Sequence, residues 1–168
     1  MKPVDLNRAI TSTIMVARNE WKYVAEVETE LEPSLRPVEC LPGEITQVVL
    51  NMIVNAAHAI ADVVGQGGDA KGTIRIATRS EGEQVVITIS DTGKGMPPEV
   101  QQRAFEPFFT TKEVGKGTGL GLAITHGGIV TKHRGSIALE SEVGVGTTFT
   151  LRIPFEQPSA EEAVAAAA

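Results

Sequence analysis

Aromatic residues and cysteine are scarce in this chain of 168 residues. Phe, Trp and Tyr together make up 4% of it, so aliphatic side chains must fill the core of what is, by length, one domain. The single cysteine, Cys40, excludes an internal disulfide and fits a reducing compartment, so we expect a cytoplasmic location. Its apolar neighbours Val38 and Leu41 predict that the Cys40 thiol is buried.

Four further absences exclude classes of function. The chain lacks an excess of basic residues, since its net charge is −6 and its pI about 5.1, which argues against a nucleic-acid partner. No apolar run approaches the roughly 20 residues of a membrane span, and no signal peptide is visible, so we do not expect this domain to span a membrane. No Cys/His cluster has zinc-site spacing.

The periodicity of apolar residues predicts a chain in which helices and strands are partly segregated. The predicted helices are 5–22, 44–64 and 119–132, and the predicted strands are 23–31, 73–80, 84–90, 136–140 and 147–153. This order favours an α+β fold, with a mixed or mostly antiparallel sheet under about three helices. We expect the domain to cover 1–156, and 157–168 to be a low-complexity tail or linker.

A polar stripe runs along the longest predicted helix, at spacings of three and four: Gln47, Asn51, Asn55, His58 and Asp62. Asparagine is a poor helix former, so the presence of Asn51 and Asn55 among apolar residues within a helix suggests that they have a function. An amide carbonyl is a suitable hard ligand for Mg²⁺, and an amide N–H can donate to phosphate. On this helix taken by itself, a solvated face is an equally good interpretation.

Two glycine-rich blocks follow the middle strands. Asp91-Thr-Gly-Lys-Gly-Met96 opens with a carboxylate at a strand end, and Gly115–Gly121 places glycine at alternate positions. Such blocks let the backbone approach a ligand and offer N–H groups to phosphate, although an aspartate before Thr-Gly is also common in plain turns. The second block matches neither the P-loop nor the Rossmann spacing. The segment 105–112 between them, with three of the five phenylalanines and Pro107, predicts a hinged lid with a Phe anchor.

Four motifs in order make the chain resemble the catalytic, ATP-binding domain of sensor histidine kinases, in the superfamily shared with gyrase, heat-shock chaperone and mismatch-repair ATPases. They are Asn51-Met-Ile-Val-Asn55, Asp91-Thr-Gly-Lys-Gly95, Phe105-Glu-Pro-Phe-Phe109 and Gly117-Thr-Gly-Leu-Gly121, with a closing Gly146-Thr147. The resemblance covers about 4–154. It implies a two-layer α/β sandwich that holds ATP between the long helix and a flexible lid spanning 96–116.

The resemblance also implies a role for particular residues. Asn55 would bind Mg²⁺, with Asn51 and His58 beside the phosphates. Asp91 would accept a hydrogen bond from the adenine amino group, and Thr147 would support adenine through water. The remaining expected nucleotide contacts are Gly93 and Gly95 near the base, Met96 where the lid begins, and, near the phosphates, Lys112, Lys116, Gly117, Thr118, Gly119, Leu120 and Gly121.

One residue discriminates among the activities of the superfamily. Its hydrolysing members carry a glutamate, the general base for water, one turn before the metal-binding Asn, and this chain has Asn51 there. Attack by water should then be slow, so the catalytic residues Asn51 and Asn55 point to a protein-histidine kinase. A serine kinase of the anti-sigma-factor type and a nucleotide-binding interaction module are the alternatives. Slow ATP hydrolysis that requires Asn51 would instead favour an ATPase.

The histidine kinase interpretation implies partners outside this chain. None of His58, His126 and His133 has the context of a phosphoacceptor. We therefore expect a fragment whose acceptor histidine lies on a separate dimerisation domain, and which cannot autophosphorylate alone. A response regulator receiver domain would take the phosphate next. The isolated domain should be monomeric and the full-length protein a homodimer.

Three positions depart from the family pattern. Gly127-Gly128 lies inside the last predicted helix, where each glycine costs about 1 kcal/mol relative to alanine. Arg134 replaces the first glycine of the common His-Gly-Gly. We expect a weakened or kinked helix behind the phosphate loop.

Overall fold

The computed structural model describes residues 1–65, 70–106 and 121–157. The helices in this part of the chain are α1 (Leu6–Val16), α2 (Arg18–Trp21), α3 (Pro42–Val64), α4 (Pro98–Arg103) and α5 (Gly121–His126), which a π-helical turn, Gly127–Thr131, extends. The strands are β1 (Lys2–Val4), β2 (Ala25–Leu31), β3 (Val38–Cys40), β4 (Gly72–Glu81), β5 (Gln84–Asp91), β6 (Ser136–Glu142) and β7 (Gly146–Pro154).

The main sheet has five strands in the order β2-β4-β5-β7-β6. Only the β2–β4 pair is parallel, and the other pairs are antiparallel. A second, two-stranded sheet joins β1 to β3. The predicted α+β class, with a mixed and mostly antiparallel sheet packed against helices, is therefore confirmed.

One face of the sheet carries the hydrophobic core. Isoleucines that alternate along β4 and β5, among them Ile74, Ile76 and Ile87, are at most 2% exposed, and they meet the buried stripes of α1 and α3. Asp5 caps α1 by accepting a hydrogen bond from the Arg8 N–H. Cys40 is fully buried, as predicted, and burial raises the pKa of its thiol.

Helix α3 is 23 residues long and has the length and hydropathy of a possible membrane span. Its apolar side, however, is the centre of this core, with Ile45, Ile53 and Ile60 each at most 1% exposed. A core helix passes the same test of length and composition, so α3 is weak evidence for a span.

Several predicted elements differ from the structure in their bounds. The sequence predicts one helix over 5–22, but in the structure Ala17 (φ −83°, ψ 3°) separates α1 from α2. Strands β1 and β3, of three residues each, and the six-residue α4 were not predicted. These elements are too short to show a periodicity.

The expected distortion behind the phosphate loop is present as the π-helical turn Gly127–Thr131. A side chain at Gly128 would place its Cβ 3.1 Å from Val48 Cγ2 on α3, so close helix packing accounts for this glycine. His133, fully buried, fixes the turn: one ring nitrogen contacts the Gly128 carbonyl and the other accepts from the Leu41 N–H. The π-helical turn is thus held against the start of α3.

Arg134 has a left-handed backbone (φ +54°) on an exposed position. A non-glycine residue in that region destabilises the folded state by about 1 kcal/mol. Glycine removes this strain, but it also raises the conformational entropy of the unfolded chain, which offsets part of the stabilisation. We expect Arg134→Gly to raise the free energy of unfolding by about 0.5 kcal/mol, measured by urea denaturation. Arg134→Ala removes the same side chain without relieving the backbone, so equal stability of the two variants would contradict this account.

Candidate nucleotide-binding site

Three polar residues form a row across one end of the sheet. Asp91 on β5 lies opposite Thr147 on β7, and Thr147 lies opposite Ser141 on β6. Ile74 continues the row on β4 and is fully buried, so the row lies on the face that carries the helices. Residues directly opposite in an antiparallel pair have neighbouring side chains.

Asp91 is the most perturbed carboxyl group in the described ranges. Burial raises its pKa from 3.8 to about 6, although N–H groups of Gly93 and Thr147 donate hydrogen bonds that act in the opposite direction. The Gly93 N–H lies 2.8 Å from Asp91 Oδ1. A partly desolvated acceptor is typical of a site that recognises a hydrogen-bond donor.

The glycines around Asp91 are required by close contacts with protein. A Cβ at Gly93 would lie 2.5 Å from Ala59 Cβ on α3, and a Cβ at Gly95 (φ +73°) would lie 2.1 Å from the Glu142 carbonyl oxygen. The Lys94 N–H donates to the Ala59 carbonyl at 3.1 Å, and Lys94 Nζ pairs with Asp62 at 2.9 Å. The loop after β5 is therefore wedged between α3 and the β6–β7 hairpin.

The two asparagines of α3 differ in what they contact. Asn51 Oδ1 accepts from Gln47 Nε2 at 2.8 Å, and Asn51 Nδ2 donates to the Gly121 carbonyl at 3.3 Å. Asn55 is half-buried one turn later, and its side chain has no hydrogen-bond partner within 1–65, 70–106 and 121–157. Asn51 thus contacts the start of α5, whereas the Asn55 side chain makes no hydrogen bond to another described residue.

The remaining predicted residues divide into two groups. His58 is half-buried on α3 one turn beyond Asn55, and Met96 is half-buried where the first glycine block ends. Lys112, Lys116, Gly117, Thr118, Gly119 and Leu120, and most of the predicted lid, lie outside the residues that the structure describes. Phe105 at the beginning of the lid segment packs edge-on against Phe149 and beside His126.

Sequence reasoning missed two residues of this site. Ser141 Oγ contacts Met96 N, Gly146 O and Thr147 Oγ1, and Gln101 Nε2 donates to the carbonyls of Met96 and Ser141. The register of the hairpin around Gly144 places Ser141 opposite Thr147, so the hairpin pattern in the sequence could have identified Ser141 as a neighbour of Thr147. Gln101 lies on the short α4, whose docking depends on tertiary contacts that leave no sequence pattern.

The arrangement has the chemistry of a nucleotide site. The row at Asp91 contains hydrogen-bond acceptors, and Asn55 carries a neutral amide oxygen where the start of α5 approaches α3. A Cβ at Gly121 would lie 4.0 Å from Asn55 Nδ2, so α5 begins beside the polar stripe. The N-terminal side of α5 is where the second glycine block joins it.

Comparison with known proteins agrees with this geometry. The family model described as "Histidine kinase-, DNA gyrase B-, and HSP90-like ATPase" matches residues 41–157. The chain is 39% identical over 159 residues to the sensor kinase CckA of Brucella abortus, covering 84% of this chain and 16% of that protein. It is 36% identical over 155 residues to the sensor histidine kinase ZraS of Escherichia coli K12, covering 92% of this chain and 31% of the relative.

Solved structures show the same similarity. The nucleotide-free catalytic domain of histidine kinase ThkA superposes with a TM-score of 0.78 at 29% identity, over 92% of this chain and 95% of that one. ThkA in complex with the response regulator protein TrrA matches with a TM-score of 0.74 at 26% identity, over 92% of this chain and 42% of that one.

The chain spans about a sixth to a third of the length of the curated relatives named above. What it shares with them is the ATP-binding catalytic unit. The chain belongs to the histidine kinase-, DNA gyrase B- and HSP90-like ATPase family, and within it to the ATP-binding catalytic domains of sensor histidine kinases.

Proposed function

We propose that this domain donates the γ-phosphate of ATP to a histidine on a dimerisation domain outside this chain, and that the phosphate then passes to an aspartate of a response regulator. The observation that carries the proposal is Asn51, whose amide is held by Gln47 and the Gly121 carbonyl. An amide in this place cannot serve as a general base for water. Bound ATP would therefore persist until a protein nucleophile attacks.

Mg²⁺ would neutralise charge on the triphosphate, and Asn55 is the residue that fits it. Asn55 is half-buried, and its side-chain oxygen has no partner in the part of the chain that the structure describes. Neutral carbonyl oxygens are accepted Mg²⁺ ligands. Positioning and charge neutralisation account for most of the catalysis in phosphoryl transfer. Asp91, Thr147 and the neighbouring glycines would hold adenine, and His58 with the second glycine block would line the phosphates.

The Asn55→Ala variant tests this assignment. We expect ATP affinity measured with Mg²⁺ to fall at least tenfold, and affinity measured in EDTA to change little, because only the metal-bound form uses the amide oxygen. Calorimetric titration gives both constants, and Thr46→Ala, at an exposed position near the start of α3, is the control. Equal losses with and without Mg²⁺ would remove Asn55 as the ligand.

The transfer itself is tested with ATP labelled on the γ-phosphate. The chain is mixed with dimerisation domains taken from the matched sensor kinases, and the product is treated with acid. Acid-labile label on the histidine supports the proposal. Acid-stable label on serine would indicate the serine kinase alternative, and rapid phosphate release without an acceptor would indicate an ATPase.

The wider setting follows from the same proposal. The domain, at 1–156, would work in the cytoplasm as part of a homodimeric kinase, with 157–168 as a tail or linker. Support comes from the relatives, which are named sensor kinases, and from the ThkA–TrrA complex, in which a kinase of this type meets a response regulator.

A further inference from the structure

The hydrogen bonds around Ser141 can be assigned by counting protons. Ser141 Oγ lies 2.8 Å from Met96 N, 3.0 Å from Gly146 O and 2.8 Å from Thr147 Oγ1. A serine hydroxyl has one proton and two lone pairs. Met96 N can only donate and Gly146 O can only accept, so the Ser141 proton goes either to Gly146 or to Thr147.

Only one assignment makes all three contacts hydrogen bonds. Ser141 donates to the Gly146 carbonyl and accepts from the Met96 N–H and the Thr147 hydroxyl. The other assignment would leave Ser141 and Gly146 as two oxygens 3.0 Å apart with no proton between them. Lone pairs of two oxygens that face each other at this distance repel, and with Thr147 only 5% exposed there is little water to screen the repulsion.

This assignment fixes what Thr147 offers to a ligand. Its proton is committed to Ser141, so its oxygen presents lone pairs only. Asp91, directly opposite Thr147 in the row, is also an acceptor when ionised. Two neighbouring acceptors favour a ligand that donates protons and repel one that carries a carbonyl oxygen in the same place.

We propose that Ser141 is a specificity-determining positioning residue, which orients the Thr147 hydroxyl so that the site selects a 6-amino purine over a 6-oxo purine. The inference rests on the proposed ATP site at Asp91. Gln101 supports the same residue from outside, because its amide ties the backbone carbonyl of Ser141 to that of Met96 at 3.1 and 2.8 Å. The first turn of the lid segment is thus connected to base recognition.

The test compares ATP with inosine triphosphate, which differs at position 6 of the purine. We expect the wild-type chain to bind ATP at least tenfold more tightly, and Ser141→Ala to reduce that ratio at least threefold, since the Thr147 proton becomes free to turn towards a carbonyl. Ser141→Thr retains the hydroxyl and should restore the ratio. Ser90→Ala is the matched control, because Ser90 Oγ bonds Thr148 Oγ1 at 3.0 Å in the neighbouring row.

If Ser141 has only a structural role, Ser141→Ala would lower the affinities for ATP and for inosine triphosphate by the same factor. That result would overturn the inference. If Ser141→Ala does not fold, Thr147→Val removes the same acceptor, and an unchanged ratio in that variant would overturn the inference too. A wild-type chain that binds neither nucleotide would overturn the proposed function together with the inference. Wild-type discrimination that survives in Ser141→Ala overturns the inference alone.

Discussion

Replacing Asp91 by asparagine should abolish measurable ATP binding and at the same time make the empty domain more stable at pH 7. The first effect follows because the carboxylate has two acceptor oxygens and the amide has only one. One oxygen cannot accept hydrogen bonds from the two backbone N–H groups and from the adenine amino group together. The second follows from burial, which raises the pKa of Asp91 to about 6 from 3.8. At neutral pH that difference corresponds to about 3 kcal/mol of lost stability.

The same shift sets a pH window. Between about pH 4 and 6 the folded chain binds a proton at Asp91 that the unfolded chain does not, so this contribution to stability is present below pH 4 and lost as the pH rises through 6. Wild type should therefore lose stability over that window relative to Asp91→Asn. Because asparagine forfeits one N–H hydrogen bond, we expect a net gain for the variant of about 1 kcal/mol at pH 7.

Thermal melts at pH 4 and pH 7, with and without ATP, measure both effects. Asp62→Asn is the control, because Asp62 is exposed and its pair with Lys94 is a surface ion pair. That variant should keep its ATP affinity. An Asp91→Asn protein that still binds ATP as the wild type does would refute the role of the carboxylate.

Gly146→Ala should be the most destabilising single substitution in the hairpin that closes the site. The backbone of Gly146 has φ +146°, and a Cβ there would lie 1.9 Å from the Asp91 carbonyl oxygen and 3.2 Å from Thr92 Cα. Both neighbours are backbone atoms, so no side chain can move aside, and β7 would have to separate from β5 at Asp91. We expect a loss of several kcal/mol, on the scale of the severest core substitutions, together with loss of nucleotide binding.

Gly144→Ala separates the steric cause from the conformational one. Gly144 also has a positive φ (+83°), but a Cβ there has no atom within 4 Å among the described residues. It should cost about 1 kcal/mol, the ordinary penalty of a left-handed backbone. Chemical denaturation of both variants measures the difference, and similar losses for the two would contradict the proposed clash.

The core of this fold could be predicted because its signals are local. The seven-residue alternation of β2 and the apolar stripe of α3 from Ile45 to Ile60 predict their elements directly. Asp91 was singled out by its place at a strand end, and Thr147 by the family resemblance. Strands β1 and β3 pair across more than 30 residues with three residues each, so only tertiary contacts define them.

The structure adds a second reason for the glycines at positions 93 and 95. The sequence favoured close approach to a base, whereas the contacts that the structure shows are with Ala59 on α3 and with the Glu142 carbonyl. Gln101 and Ser141 were missed for a similar reason, since their partners come from different elements. Side chains that connect elements leave no periodicity in the sequence.

The most direct test of the account is a calorimetric titration of the chain with ATP in the presence and absence of Mg²⁺. We expect micromolar affinity with Mg²⁺, on the order of −8 kcal/mol, weaker binding in EDTA, and none in Asp91→Asn. No binding in wild type, or equal binding by wild type and Asp91→Asn, would contradict an ATP site built on Asp91.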